Sequence, residues 1–403
     1  MAIPVAKLIV YTAIGGINLL RTLPILLDEG TNNEELLNNP LYLGWRHKRL
    51  TGNQYAEFID KFIQALQEKF PHVFLHWEHF GRTNAYRNLI KYRDVMYSFN
   101  DDIQGTGSVT LGAILAALKI THSTPGEQRI VIYGGSTAGI EITDTIFHAV
   151  SQNGLFEAEA RKLFLVIVDR TGLLTELSED VTPVQQPYLR TKDEIKNSKI
   201  EDPHQISLLD LMENIKPTIL IGTSAHGHTF NQTIVKTMLK YVAKPIIFHL
   251  SNPTKKCEAE PIDLFQWTKG KALIATGSPF EDIIFENKKF LINQSNNYLA
   301  FPAIGLGVIA IKAKRVTESW YVDETTHRLL PSIPQAQKSS YHVIIAVAKT
   351  AIKEGIKGVS SEHSEKVLVK QNIWEPRYLR YQKNMINVFT PRKQLVQQLP
   401  HFI

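Results

Sequence analysis

Arg129-Ile130-Val131-Ile132-Tyr133-Gly134-Gly135-Ser136-Thr137-Ala138-Gly139-Ile140 is the stretch that decides the fold. A β-rich run ends in a glycine turn and passes straight into a helical stretch, Ile140–Val150. Strand, glycine turn and helix, in that order, is the context that gives a G-x-G-x-x-G pattern meaning. The unpaired N–H groups and positive dipole end of such a helix suit a pyrophosphate. Gly134, Gly135, Ser136, Thr137, Ala138 and Gly139 are therefore candidate dinucleotide contacts. The middle glycine of the pattern, which lets the backbone approach the phosphates, is Ser136 here. Taken alone, the motif is compatible both with a cofactor site and with an ordinary α/β sheet that has a glycine-rich turn.

Downstream, similar β-rich runs recur at Leu163–Asp169, Thr218–Gly222, Pro245–Leu250 and Ala272–Thr276, each followed by a turn or helical pattern. Strands alternating with helices predict an α/β fold, a doubly wound parallel sheet of the Rossmann type. Asp169 closes the second run, where an acidic residue holds the ribose hydroxyls of NAD. It lies 35 residues after Gly134, against a usual spacing of about 20. Asp169 favours NAD over NADP, while the adjacent Arg170 would tolerate a 2′-phosphate.

Upstream, Tyr55–Phe70 carries Phe58, Ile59, Phe62, Ile63, Leu66 and Phe70 at helical spacing and predicts an amphipathic helix. Val73–Trp77 is a short apolar run. Leu8–Leu20 is apolar behind Lys7, but it contains Gly15, Gly16 and Asn18 and has no clear A-x-A site. It is too short to span a bilayer and reads as a buried helix; no other stretch approaches membrane length. After Phe301 helical patterning returns, including Tyr341–Ile352, and the last 35 or so residues read as an irregular arm.

The 403 residues suffice for two domains, and 43% hydrophobic with 21% charged residues is ordinary globular composition. The single cysteine, Cys257, excludes an intramolecular disulfide and fits a reducing cytoplasm. Of the net charge of +6, a share of +4 sits in Ser361–Ile403. A basic tail of that kind is usually solvated or in a subunit contact, so neither nucleic acid nor membrane is an expected partner.

Before the sheet domain, carboxylates concentrate at Glu78-His79 and at Asn100-Asp101-Asp102. Hard divalent cations take oxygen ligands, and Glu78 with Asp102 would suit Mg²⁺ or Mn²⁺. Spacing alone does not bring them together, and Asp101-Asp102 before Gly105-Thr106 is, taken alone, more often a loop and helix cap than a metal site.

Phe99-Asn100-Asp101-Asp102-Ile103-Gln104-Gly105-Thr106 resembles the most diagnostic motif of the malic enzymes, which oxidise L-malate to pyruvate and CO₂. Ile3-Pro4-Val5-Ala6-Lys7-Leu8 is similar to that family's lysine segment. Leu250-Ser251-Asn252-Pro253-Thr254, Ala275-Thr276-Gly277-Ser278-Pro279-Phe280, Asn296-Asn297, Gly305-Leu306-Gly307-Val308 and Trp374-Glu375-Pro376 resemble further family segments, in family order. The resemblance implies that Lys7 is the general base, working at a pKa pulled down by burial and a nearby metal. It implies that Asp101 positions the lysine and that Glu78 and Asp102 hold the metal. Asn252 and Asn297 would contact the substrate carboxylate and also count among the cofactor-binding residues. The implied division is a catalytic domain over 1–102, an NAD-binding domain over 103–297, a return segment over 298–368 and an arm over 369–403. A homo-oligomer acting on malate in the cytoplasm is the corresponding expectation.

Three departures from the family pattern stand out. The family's Glu-Asp metal pair is Glu78-His79 here, so His79 either joins the ligands and shifts the metal preference or points away. Ser136 replaces the middle glycine. The chain starts almost at Lys7, and no residue matches the tyrosine acid and the carboxylate-binding arginine of the family's N-terminal region. The resemblance thus leaves three readings: a malic enzyme, a degenerate relative serving as a nucleotide-binding or regulatory subunit, or a malolactic-type decarboxylase.

Overall fold

The computed structural model describes residues 2–152, 160–161, 163–168, 172–196, 206–314, 316, 329–359 and 363–375. Asp169, Arg170 and the arm from residue 376 onward lie outside them.

The chain opens with α1 (Ala2–Ala13), followed by α2 (Gly52–Lys69), β1 (Leu75–Trp77), α3 (Arg82–Tyr92) and β2 (Ser98–Asn100). In α2, Tyr55, Ile59, Ile63 and Leu66 recur at helical spacing and are all buried, against Trp77, Tyr92 and Met96. β1 and β2 form a separate two-stranded parallel ladder.

The larger unit begins with one wide π-type turn, Asp101–Gly105, running into α4 (Thr106–Thr121). β3 (Ile130–Tyr133), α5 (Thr137–Gln152) and β4 (Phe164–Val168) follow, then β5 (Gly172–Leu173) and α6 (Leu208–Asn214). β6 (Ile219–Gly222), α7 (Gln232–Leu239), β7 (Ile246–His249), α8 (Pro261–Thr268) and β8 (Leu273–Thr276) continue the alternation. A β9–β10 hairpin (Ile283–Phe285, Lys288–Phe290) and β11 (Asn293–Gln294) close it. The seven-stranded sheet runs β11-β8-β7-β6-β3-β4-β5, parallel except for β5.

β3, β6 and β7 are buried along their whole length, as expected of parallel strands covered on both faces. Alternation divides their side chains between two cores. Ile130, Ile132, Ile219, Ile221, Ile246 and Phe248 face α4 and α5, whereas Val131, Leu220 and Ile247 face α6, α7 and α8. From β3 the chain goes to β4 on one side and later to β6 on the other. Such a reversal opens a crevice beyond the carboxyl ends of the strands, where open α/β sheets bind ligands.

α9 (Phe301–Ile311), α10 (Ile333–Lys353) and α11 (Glu365–Asn372) return to the first segment. α9 packs on α1 with the Tyr11 and Phe301 rings 4.9 Å apart, and Trp374 N donates to Gly16 O at 2.7 Å.

The α/β architecture with a Rossmann-type sheet is as expected, and two readings need correction. The apolar run at the N-terminus is buried on one face only. Tyr11, Gly15 and Ile17 pack inward, but Ile9 is 58% and Leu20 92% exposed, because the helix ends at Ala13 and Leu19–Arg21 turns outward. A second stretch does reach membrane length: Asp101–Thr121 is apolar over 21 residues. It is two-thirds buried among α5 and the sheet, as a core helix is.

Candidate active site

The register of one short ladder assembles the acidic residues. β1 and β2 pair Leu75 with Ser98, His76 with Phe99 and Trp77 with Asn100. Because the strands are parallel, both chains leave the ladder at the same end, Glu78-His79 from one and Asp101-Asp102 from the other. That is why segments with no shared spacing in sequence meet in space. The π-type turn after β2 is fixed at both ends: Asn100 Oδ1 accepts from Ile103 N and Gln104 Oε1 accepts from Asn100 N, each at 3.0 Å. Turns of this kind are frequent at functional sites.

Lys7 reaches this point from the middle of α1. Its Nζ forms an ion pair with Asp101 and lies 3.2 Å from Glu78 Oε2, under the Phe301 ring at 4.4 Å. One helical turn on, Tyr11 hydrogen-bonds His76 Nδ1 at 2.6 Å, and His76 Nε2 lies 3.4 Å from Glu78 Oε2. Neither Tyr11 nor His76 was singled out from the sequence. The usable signals were the i, i+4 spacing of Lys7 and Tyr11 on one helix face and the i, i+2 spacing of His76 and Glu78 on one strand face.

Asp101 is fully buried. Its Oδ1 has no hydrogen-bond partner among the described residues and faces Gly105, where a Cβ would stand 2.2 Å away. Asn297 closes the turn from the other side, donating to Asp101 O at 3.1 Å and to Thr106 Oγ1 at 3.2 Å. Asp102 Oδ2 accepts from His79 N at 2.7 Å.

Charge at the site is unbalanced. Burial pulls the Lys7 pKa down, but Asp101 and Glu78 outweigh it and the net shift is upward. Two carboxylates beside an ammonium favour its charged form. Burial raises the Asp102 carboxyl, and the charges of Glu78 and Asp101 raise it further. Two carboxylates flank the lysine and Asp102 adds a third beside them, an excess of negative charge that a divalent cation would offset. Glu78, His79 and Asp102 each place a ligand atom within 4.8 Å of the other two. This donor set fits the cation.

At the glycine turn, Gly134 has φ +118°, and a Cβ there would meet the backbone of Thr223 at 2.5 Å. A Cβ on Gly139 would lie 1.9 Å from Gly134 O, so the helix start can tuck under the turn only as glycine. Ser136 Oγ donates to Thr223 O at 3.4 Å, which turns the serine toward β6. Gln185 Nε2 donates to Gly135 O at 2.7 Å. Thr137 and Ala138 form the first turn of α5, where the amides have no intrahelical acceptor.

Asn252 follows β7 in a cis Asn252-Pro253 peptide, and its Oδ1 accepts from Ser278 Oγ at 2.8 Å. Among the described residues it makes no hydrogen bond to the Lys7 group. The buried carboxylate of Glu258 ties its loop to β6, with Oε1 accepting from Ser224 N at 2.8 Å and Ser251 Oγ at 2.5 Å.

Residues 1–93 match the family model "Malic enzyme, N-terminal domain" and residues 103–352 match "Malic enzyme, NAD binding domain". The chain belongs to the malic enzyme family. It is 41% identical over 399 residues to the NAD-dependent malic enzyme of Salmonella agona, covering 96% of this chain and 70% of that one. To the Shewanella denitrificans NAD-dependent malic enzyme it is 40% identical over 396 residues, with coverages of 95% and 70%. The crystal structure of the Entamoeba histolytica malic enzyme shares the fold at TM-score 0.66 and 20% identity, covering 91% of this chain and 67% of that one. The Pyrococcus horikoshii malic enzyme gives TM-score 0.64 and 19% identity, with coverages of 92% and 75%.

Proposed function

We propose that this malic enzyme family member oxidises and decarboxylates L-malate to pyruvate and CO₂ with NAD as hydride acceptor. The observation that carries this reading is the Lys7 ammonium held between Asp101 and Glu78, at the end of the ladder where the acidic donors converge. A divalent cation bound there supplies positive charge that polarises the C2 oxygen and steadies the negative charge left after CO₂ departs. NAD bound over the glycine turn supplies the acceptor for the C2 hydride.

The protein's own residues handle the proton. Charge from a bound cation would offset the Asp101 and Glu78 carboxylates and let the Lys7 ammonium give up its proton; the neutral Nζ then receives the proton of the C2 hydroxyl, and Asp101 fixes the direction of the amine. Asn297 holds the Asp101 backbone and Asn252 offers its amide to a substrate carboxylate. The overall change balances: the C2 hydride leaves to NAD, the C3–C4 bond breaks to release CO₂, and a proton is returned to C3. Gly134, Gly135, Ser136, Thr137, Ala138 and Gly139 are assigned to the pyrophosphate, and Asp169 with Arg170 to the adenosine ribose. We further place the chain in the cytoplasm as a homo-oligomer.

Purified protein with malate, NAD and Mn²⁺ is expected to form NADH and pyruvate in equal amounts. NAD binding without any product would instead mark a nucleotide-binding relative. Lactate without NADH would mark malolactic chemistry.

A further inference from the structure

His79 is the one member of the cation donor set that is not an oxygen ligand, and its backbone is strained. Its φ of +66° lies in the left-handed region, which non-glycine residues rarely enter. Such strain persists only where surrounding structure holds it. Here the holding contact is visible: in this conformation His79 N donates to Asp102 Oδ2 at 2.7 Å. The same conformation brings an imidazole nitrogen into the group formed by the Glu78 and Asp102 carboxylates. Bonds of about 2.0–2.2 Å to a cation leave any two ligands no more than about 4.4 Å apart, so small rotations of these three side chains would close the set.

The donor chemistry then sets the choice of ion. Mg²⁺ takes oxygen ligands in a rigid octahedron and gains little from imidazole. Mn²⁺ and Co²⁺ accept mixed nitrogen and oxygen donors and bind them more tightly in the Irving–Williams order. We infer that His79 is a direct ligand of the divalent cation and makes the site select Mn²⁺ or Co²⁺ over Mg²⁺. The inference rests on the cation-dependent function proposed above, but it is tested by metal binding alone, without turnover.

The full chain is titrated with Mn²⁺ alone, free ion being read by its EPR signal, and Mg²⁺ is added as competitor. Wild type is expected to prefer Mn²⁺ over Mg²⁺ at least tenfold more strongly than His79→Asp does. Aspartate tolerates positive φ better than most residues, so this variant keeps the local backbone. Pulsed EPR of the Mn²⁺-loaded wild type is expected to show coupling to an imidazole nitrogen, and His79→Asp to lose it. Absence of nitrogen coupling in the wild type overturns the inference without recourse to a variant. Coupling that survives in His79→Asp assigns the ligand to His76 and overturns it too, as does an unchanged Mn²⁺/Mg²⁺ ratio. Failure of malate turnover with these binding results intact would count against the proposed reaction and not against the ligand.

Discussion

Lys7 is set among Asp101, Glu78 and the face of Phe301, and each neighbour limits where its ammonium can go. Methionine keeps most of the length of the side chain and removes the amine. Lys7→Met is expected to lower kcat for malate-dependent NADH formation by about a hundred- to ten-thousand-fold, the usual loss when a general base is deleted. NAD binding, measured by fluorescence titration, should stay unchanged, because the glycine turn lies on a separate segment. A second residue-scale outcome concerns Gly105. Its φ is an ordinary helical −75°, so the need for glycine there is steric. Gly105→Ala puts a methyl group 2.2 Å from Asp101 Oδ1, and overpacking of this kind costs typically 1–3 kcal/mol. Urea denaturation should show that loss, together with a fall in kcat as Asp101 is pushed off Lys7. A variant as stable and active as wild type would refute the steric account.

Among the elements, β7 carries an unusual charge liability. His249 is fully buried at the strand's end, with the Phe280 ring edge-on at 5.5 Å and no hydrogen-bond partner for either ring nitrogen among the described residues. Burial alone pushes its pKa down to about 3. The unfolded chain therefore binds a proton near pH 6.5 that the folded chain refuses until about pH 3. The stability is complete above pH 6.5 and declines as the pH falls, by up to about 1.4 kcal/mol per pH unit for one proton. His249→Phe is expected to flatten that part of the stability-versus-pH curve between pH 6 and 4, whatever it does to stability at pH 7. An unchanged slope would rule out His249 as its source. The sheet strands were legible because their side chains are continuously apolar, as Ile130-Val131-Ile132-Tyr133, the whole of β3, illustrates. The β1–β2 ladder was not, since three-residue strands such as Leu75–Trp77 and Ser98–Asn100 have too little period to reveal a partner. For the same reason Glu78 and Asp101 could be named by family resemblance but not brought together by spacing. The π-type turn also escaped notice, because Asp101-Asp102 reads locally as an ordinary cap.

For the molecule as a whole, ligand linkage offers a direct measurement. A dinucleotide that binds only the folded chain stabilises it by about 2.7 kcal/mol at a hundred times its Kd. Saturating NAD should therefore raise the melting temperature of wild type. Gly139→Ala drives a methyl group to 1.9 Å from Gly134 O and should abolish the rise, while Lys7→Met should retain it. A rise of equal size in Gly139→Ala would place NAD elsewhere. Exposed apolar side chains concentrate in the first 45 residues, among them Ile9, Leu20, Leu41 and Leu43. If the protein is a homo-oligomer, that surface is a natural place for the contact, and charged substitution at Leu20 and Leu43 should shift the mass measured by light scattering toward the monomer.

The hydrogen bond from Asn297 to Asp101 spans 196 residues of sequence, and the ion pair from Lys7 to Asp101 a further 94. On the ribosome, the lysine emerges well before Asn297 and waits while the rest of its site is made. At about 5–20 residues per second, that delay is roughly a quarter of a minute to a minute. Throughout it, α1 has no α9 to pack on. Over that interval the nascent chain carries α1 without the helix it packs on. In a cell, the yield of active protein would be set as much by what shields α1 during translation as by the stability of the finished fold.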